Sequence, residues 1–183
     1  MNIARISMMS VAFVVLVLGF FAVRARAASN NIPQVGQMAP TFTLPSQAGT
    51  LVNIEHMRGH WVVLYFYPKD QTSGCTIEAR KFQHDTPQYE ALNAVVFGVS
   101  VDSVESHKKF AAKDSLNFKL LADPKGKVVA SYGSLGNYMA FKIAKRNTFL
   151  IDPQGKIAKE WIGVDPSSHS EEVLAALKEL QKK

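Results

Sequence analysis

The run Tyr65-Phe66-Tyr67-Pro68-Lys69-Asp70-Gln71-Thr72-Ser73-Gly74-Cys75-Thr76-Ile77-Glu78-Ala79 holds the one cysteine of this 183-residue chain, and its local pattern decides the fold. Val62 to Tyr67 reads as a strand that stops at Pro68. A short polar loop follows, and a helix-like stretch opens at about Cys75. The thiol therefore falls near a helix N-terminus, where free backbone N–H groups and the helix dipole favour a thiolate over a thiol. Thr72 stands three residues earlier and can hold a hydroxyl beside the sulfur. Cys75 has no second cysteine with which to form a structural bridge. Spacing alone leaves two readings open: a reactive nucleophile, or a small buried hydrophobe without chemistry.

Outward from this run, Trp61 to Tyr67 is nearly all apolar, as in a strand buried on both faces. Ala39–Leu44 and Leu51–Ile54 alternate apolar with polar and suit two short strands joined by a turn. Cys75 to Leu92 has helical spacing through Ile77, Phe82 and Tyr89, and Pro87 is expected to break or kink it. Val95–Val101 reads as a second buried strand, Val104–Lys113 as a helix, Phe118–Leu121 as a short strand and Lys125–Tyr132 as a short helix. Arg146–Ile151 and Lys156–Gly163, joined by Asp152-Pro153-Gln154-Gly155, give a hairpin signal. Ser168-His169-Ser170-Glu171 has the form of a capping box opening a last helix, whose stripe is Val173, Leu174, Leu177 and Leu180. Strands alternating with helices predict one α/β domain with a mixed central sheet covered on both faces.

The first acidic residue is Glu55. Ahead of it, Arg5 precedes an apolar run from Val11 to Val23, and Ala25-Arg26-Ala27 has the small-x-small form of a cleavage site. Residues 1–27 thus read as a secretory signal peptide and 28–38 as a linker, leaving 39–183 as the domain. The competing reading is an uncleaved anchor over Ile6–Val23, which is just long enough to span a bilayer. Arg24 and Arg26 beyond the apolar run argue against it. Loss of residues 1–27 removes Arg5, Arg24 and Arg26, so the formal charge falls from +6 to +3. Without a dense basic patch, that charge makes no case for nucleic acid. The expected location is outside the cytoplasm, most simply a bacterial periplasm. A lone free thiol in an oxidising compartment calls for a chemical reason.

YFYPKDQTSGCTIEA resembles the active-site segment of the peroxiredoxins, which carry Pro-x-x-x-Thr/Ser-x-x-Cys. It is similar, more narrowly, to their bacterioferritin comigratory protein, or Q-type, branch. The resemblance extends to Val35-Gly36-Gln37-Met38-Ala39-Pro40-Thr41-Phe42 and to Arg146-Asn147-Thr148-Phe149-Leu150-Ile151-Asp152, so it covers essentially all of the chain after the leader. Two residues depart from the branch: Ser73 replaces a usual proline, and Arg80 stands where many members carry a second, resolving cysteine.

The resemblance implies a thioredoxin-like fold. It also implies a thiol-dependent peroxidase of antioxidant defence and redox homeostasis, acting on hydrogen peroxide and organic hydroperoxides. Cys75 would be the nucleophile and pass through a sulfenic acid. Arg146, from the family's R-x-TFLID strand, would hold the thiolate and the peroxide, because arginine stays charged and offers several donors. Thr72 would hydrogen-bond the peroxide, and Pro68 would shield the sulfur. Glu78 reads first as a structural residue near the helix start, with a possible part in orienting Arg146. Arg80 reads as a solvated residue.

With no resolving cysteine, an external thiol must regenerate the enzyme: a thioredoxin-like or glutaredoxin-like protein, or a small thiol. The expected state is a monomer or weak homodimer, with membrane contact only if the leader is retained. His56, His60, His84, His107 and His169 show no metal-ligand spacing, and no cofactor motif is present. The alternative is a non-enzymatic thioredoxin-like binding module of the envelope. An envelope copper- or haem-maturation protein should carry a cysteine pair, which this chain lacks.

Overall fold

The computed structural model describes residues 32–182, so the expected signal peptide at 1–27 lies outside the described residues. Nine strands and four α-helices are present among them: β1 (Thr43–Pro45), β2 (Leu51–Asn53), β3 (Trp61–Phe66), α1 (Ser73–Ala91), β4 (Ala94–Ser100), α2 (Val104–Asp114), β5 (Lys119–Ala122), α3 (Lys127–Ser131), β6 (Leu135–Tyr138), β7 (Phe141–Ala144), β8 (Asn147–Ile151), β9 (Ile157–Ile162) and α4 (His169–Leu180). A five-stranded sheet in the order β5-β4-β3-β8-β9 forms the centre. β3 pairs in parallel with β4, and β4 with β5; β8 runs antiparallel to both β3 and β9. The sheet is mixed, as the alternation of elements predicts.

β3 is buried on both faces, and its alternating side chains divide the core in two. Val63, Tyr65 and Tyr67 pack with Ala79, Phe82 and Tyr89 of α1, Phe110 of α2, and Val173, Leu174 and Leu177 of α4. Val62, Leu64 and Phe66 pack with Phe42, Leu44, Val52, Val129 and Tyr132 on the opposite face. The apolar stripe expected for the last helix is the side that α4 buries.

Several local expectations need correction. α1 runs unbroken through Pro87. A proline removes one hydrogen bond, which this long helix, anchored by buried Phe82 and Tyr89, tolerates. The capping box of α4 is not formed. The Ser168 hydroxyl donates to Glu172 Oε1 at 2.6 Å instead of accepting from the helix backbone. Ile54 leaves the strand of β2 and opens a 3-10 turn, Ile54–Met57, capped by the Asn53 side chain. The β6–β7 hairpin has no counterpart in the sequence reading. At the inner end of the expected linker, Gly36 donates to Ile157 O at 2.8 Å and Ile157 to Gln37 O at 2.8 Å, which ties this segment to β9.

Candidate active site

β3 ends at Phe66 and α1 begins at Ser73, so the loop Tyr67–Thr72 carries the chain from the sheet to the helix at the C-terminal edge of β3. Gln71 in this loop has φ +58°, a left-handed conformation that a non-glycine residue adopts at some cost. Thr72 is the N-cap residue, but its hydroxyl donates back to Lys69 O at 3.0 Å instead of capping the helix. Cys75 is the third residue of α1 and is only 1% exposed. It sits in the first turn, where backbone N–H groups lack helical acceptors.

Arg146 lies immediately before β8, which runs alongside β3 and delivers it to the same edge of the sheet. Its backbone carbonyl accepts from Gly163 N at 2.9 Å and Val164 N at 3.1 Å. Its Nη2 donates to Cys75 Sγ at 3.2 Å, and its Nη1 to Glu78 Oε2 at 2.5 Å. Gly74 permits this approach, because a Cβ there would stand 3.1 Å from Nη2. Burial alone would make Arg146 easier to deprotonate. The negative charge of Glu78 and Cys75 outweighs this and holds the guanidinium more firmly protonated than usual.

The structure therefore brings Arg146 onto Cys75, as the resemblance implied. Pro68 and Thr72 lie in the loop ahead of the helix, half-exposed and exposed, and Arg146 is the hydrogen-bond partner of Sγ among the described residues. Glu78 has a larger part than the sequence suggested. Its side chain is 1% exposed, its Oε2 is held by Arg146, and its Oε1 has no partner among the described residues. Burial pushes its carboxyl up to about 7, against the opposing pull of Arg146. Arg80 points elsewhere and pairs with Asp114 at the end of α2, Nη2 to Oδ1 at 2.6 Å.

Three further residues around the site escaped the sequence reading. Tyr65 is fully buried, its hydroxyl has no partner among the described residues, and its ring stacks on Phe82 at 4.6 Å between centroids. Burial, with the charges of Glu78 and Cys75 adding to it, raises its phenol well above the usual range. Asp70 and His107 form a buried pair, Oδ2 to Nδ1 at 2.9 Å. Their one signal in sequence was an acid inside a short loop and a histidine on the apolar face of a helix, with Phe110 and Ala111 at helical spacing.

The AhpC/TSA family model matches residues 35–160. Peroxiredoxin Bcp of Bacillus subtilis is 40% identical over 157 residues, covering 82% of this chain and 98% of its own. A cysteine-to-serine mutant of Xylella fastidiosa PrxQ superposes with a TM-score of 0.78 at 33% identity, covering 82% of this chain and 99% of its own. The Xanthomonas campestris bacterioferritin comigratory protein, solved to study its alkyl peroxide reduction activity, gives a TM-score of 0.75 at 33% identity, covering 80% and 99%. This chain belongs to the AhpC/TSA family, in the peroxiredoxin group that includes Bcp and PrxQ. It has the thioredoxin-like peroxiredoxin fold and is a thiol-dependent peroxidase, an oxidoreductase. The non-enzymatic alternative finds no support among these relatives.

Proposed function

We propose that Cys75 is the peroxidatic nucleophile, that hydrogen peroxide and organic hydroperoxides are its substrates, and that an external thiol completes each turnover. The observation that carries this reading is the 3.2 Å contact of Arg146 Nη2 with Sγ in the first turn of α1. Sγ attacks one peroxide oxygen as a thiolate. A sulfur–oxygen bond forms and the O–O bond breaks. The departing oxygen takes a proton and leaves as water or an alcohol. Sulfur loses two electrons to the peroxide and becomes a sulfenic acid. Arg146 has donors for both the thiolate and the oxygen on which charge develops. Thr72 and Pro68 border the approach, the first offering a hydroxyl and the second excluding water. Alkyl substrates are supported by the activity studied in the Xanthomonas relative.

The chain has no second thiol, so resolution falls to an external one. Its sulfur attacks the sulfenic acid, water leaves, and a second thiol releases Cys75 from the mixed disulfide. A thioredoxin-like or glutaredoxin-like protein, or a small thiol, can supply both. The enzyme works as a monomer or weak homodimer. We place it outside the cytoplasm, in a bacterial periplasm. That placement is supported by the acid-free leader and the Ala25-Arg26-Ala27 site.

Cys75→Ser tests the nucleophile. The variant should fold and show no peroxide consumption with a dithiol reductant; substantial turnover would overturn the assignment. Intact mass after brief peroxide exposure should show one added oxygen on the parent and none on the variant. N-terminal sequencing of the exported protein should begin at Ala28, whereas a full-length, membrane-bound chain would replace cleavage with anchoring.

A further inference from the structure

The loop ahead of Cys75 is held from below by a polar cluster that the chemistry above does not use. Its residues Pro68, Lys69, Gln71 and Thr72 are exposed or half-exposed, whereas Asp70 turns inward and is 6% exposed. The Asp70 carboxylate accepts from the Tyr67 hydroxyl at 2.6 Å and the Ser106 hydroxyl at 2.6 Å. His107 Nδ1 lies 3.0 and 2.9 Å from its two oxygens and donates to them. The Asp70 backbone N–H donates to Asp102 Oδ2 at 2.9 Å, which also accepts from Ser100 Oγ at 2.7 Å. Ser106 and His107 belong to α2, so the cluster fastens the catalytic loop to a helix that contributes no residue to the Cys75–Arg146–Glu78 contact. His107 is fully buried, and its Nε2 has no partner among the described residues. A histidine whose second nitrogen is orphaned in the core is costly to keep, and what it gains here is its hold on Asp70.

Cys75 must be both sealed and reached. At 1% exposure its sulfur admits a small peroxide only through local fluctuation or a narrow approach, and it cannot meet the thiol of another protein in line. The first turn of α1 has to move for that second step. Asp70 is the buried polar anchor of the segment that would move, set between exposed Lys69 and Gln71, and Gln71 is strained. We propose that Asp70 and His107 are a positioning pair that latches the loop Tyr67–Thr72 for peroxide reduction and whose release exposes oxidised Cys75 to an external protein thiol. The latch rests on the reading of Cys75 as nucleophile with an outside reductant.

The test separates the two half-reactions. One is formation of the Cys75 sulfenic acid, followed by trapping and mass spectrometry. The other is loss of that acid on mixing with reduced thioredoxin, and in parallel with free cysteine. His107→Leu keeps much of the volume and removes the donor. It should slow sulfenic acid formation and speed its reaction with thioredoxin by about tenfold, the effect of losing one charge-assisted hydrogen bond. The reaction with free cysteine should change less. His107→Asn, whose amide can replace Nδ1, should restore both rates toward the parent. The latch is overturned if His107→Leu is folded with both rates unchanged, or if both fall together. Failure of the parent to form a sulfenic acid would instead remove the nucleophile reading itself. If His107→Leu does not fold, hydrogen exchange on the parent decides. The amides of residues 70 to 75 should exchange faster, and together, in the oxidised form than in the reduced one; equal exchange rejects the latch.

Discussion

Two buried acids flank Cys75, and they are held in opposite ways. Glu78, one turn further along α1, has a single partner among the described residues, Arg146, which leaves Oε1 without one there. Asp70, in the loop before the helix, accepts from Tyr67, Ser106 and His107. Burial raises Glu78 to about 7 because one cation only partly offsets the loss of water. Burial also acts to raise Asp70, but the hydrogen bonds and charge of His107, with the Ser106 and Tyr67 hydroxyls, overcome it and hold the carboxyl below its ordinary value. Burial acts on both acids, and the number and placement of donors set against it decides which stays ionised. One acid is left poised near neutrality beside the arginine that contacts Cys75, while the other is a charge holding a loop.

The largest break in this comparison comes from removing the one cation. Arg146→Met should lower the rate of sulfenic acid formation by about a hundred- to a thousandfold, the usual loss when a preorganised donor at a developing oxyanion is removed. It should also leave Glu78 without any counter-charge, so that its carboxyl stays neutral through pH 7. Stopped-flow peroxide reduction measures the first effect, and carboxyl infrared bands in the parent and variant measure the second. A rate within a few-fold of the parent would return Arg146 to a structural role.

The two acids should also write opposite signs into stability against pH. Glu78 has a folded value of about 7 against an ordinary 4.5, so the folded state keeps its proton longer than the unfolded chain. Its contribution is full below about pH 4.5, declines as pH rises to about 7, and is then constant, a change of at most about 3 kcal/mol. Asp70, lowered below 3.8, contributes above that value and loses its contribution as the solution is acidified through its folded value. Urea unfolding of the parent and Glu78→Gln across pH 4 to 8 checks the first sign. The difference between them should favour the parent most at the acid end. A difference that is flat, or that grows in the parent's favour with pH, contradicts the desolvated state of Glu78.

Asp70→Asn sharpens the other half. The amide keeps the shape but places an N–H₂ where an acceptor met two hydroxyls and an imidazole, at a cost of about 2 kcal/mol. The loss should be largest near neutral pH and shrink in acid, where Asp70 itself becomes protonated. Unfolding curves at pH 7 and pH 3 give both values, and equal losses at the two would show that the charge of Asp70 is immaterial.

What was legible in the chain follows the same division. The β3–loop–α1 unit could be read because it is local: an apolar run, a proline and a helix start lie within a few residues of Cys75. Arg146 sits 71 residues from Cys75, and only a resemblance could pair them, since the contact depends on β8 lying beside β3. Asp70 and His107 are 37 residues apart and carry no motif; their pairing depends on how α2 packs behind the loop. The β6–β7 hairpin was hidden for another reason. It turns at Met139, with φ +54°, where a hairpin turn is expected to show glycine or asparagine, and its exposed Tyr138, Met139 and Phe141 break the usual alternation. Pro87 misled because a proline is a strong local signal that packing on both sides of it can override.

The smallest expected effect on stability concerns a third acid. Asp114 closes α2, and its side chain is 1% exposed while that of its partner Arg80 is 64% exposed. Losing Arg80 leaves the buried Asp114 carboxylate, whose Oδ2 has no partner among the described residues, without its cation, so Arg80→Cys should cost about 1–2 kcal/mol in the reduced protein. Its chemical effect would be larger. Arg80 lies five residues after Cys75 on α1 and faces Asp114, whereas Cys75 faces Arg146. Five residues of helix turn the side chain well away from Cys75 and separate the two by about 7.5 Å of rise, beyond the span of a disulfide in an intact helix. A bond between them therefore reports that the first turns of α1 have unwound. Under peroxide, Arg80→Cys should form an internal disulfide between Cys75 and the introduced thiol, and should resist overoxidation to the sulfinic acid. Combining it with Asp70→Asn should hasten that disulfide if the loop anchor governs unwinding. A single variant that overoxidises like the parent would show that α1 stays wound on the timescale of peroxide attack. An external thiol would then have to reach Cys75 by movement on the Arg146 side, which would shift the opening from the loop to the strand.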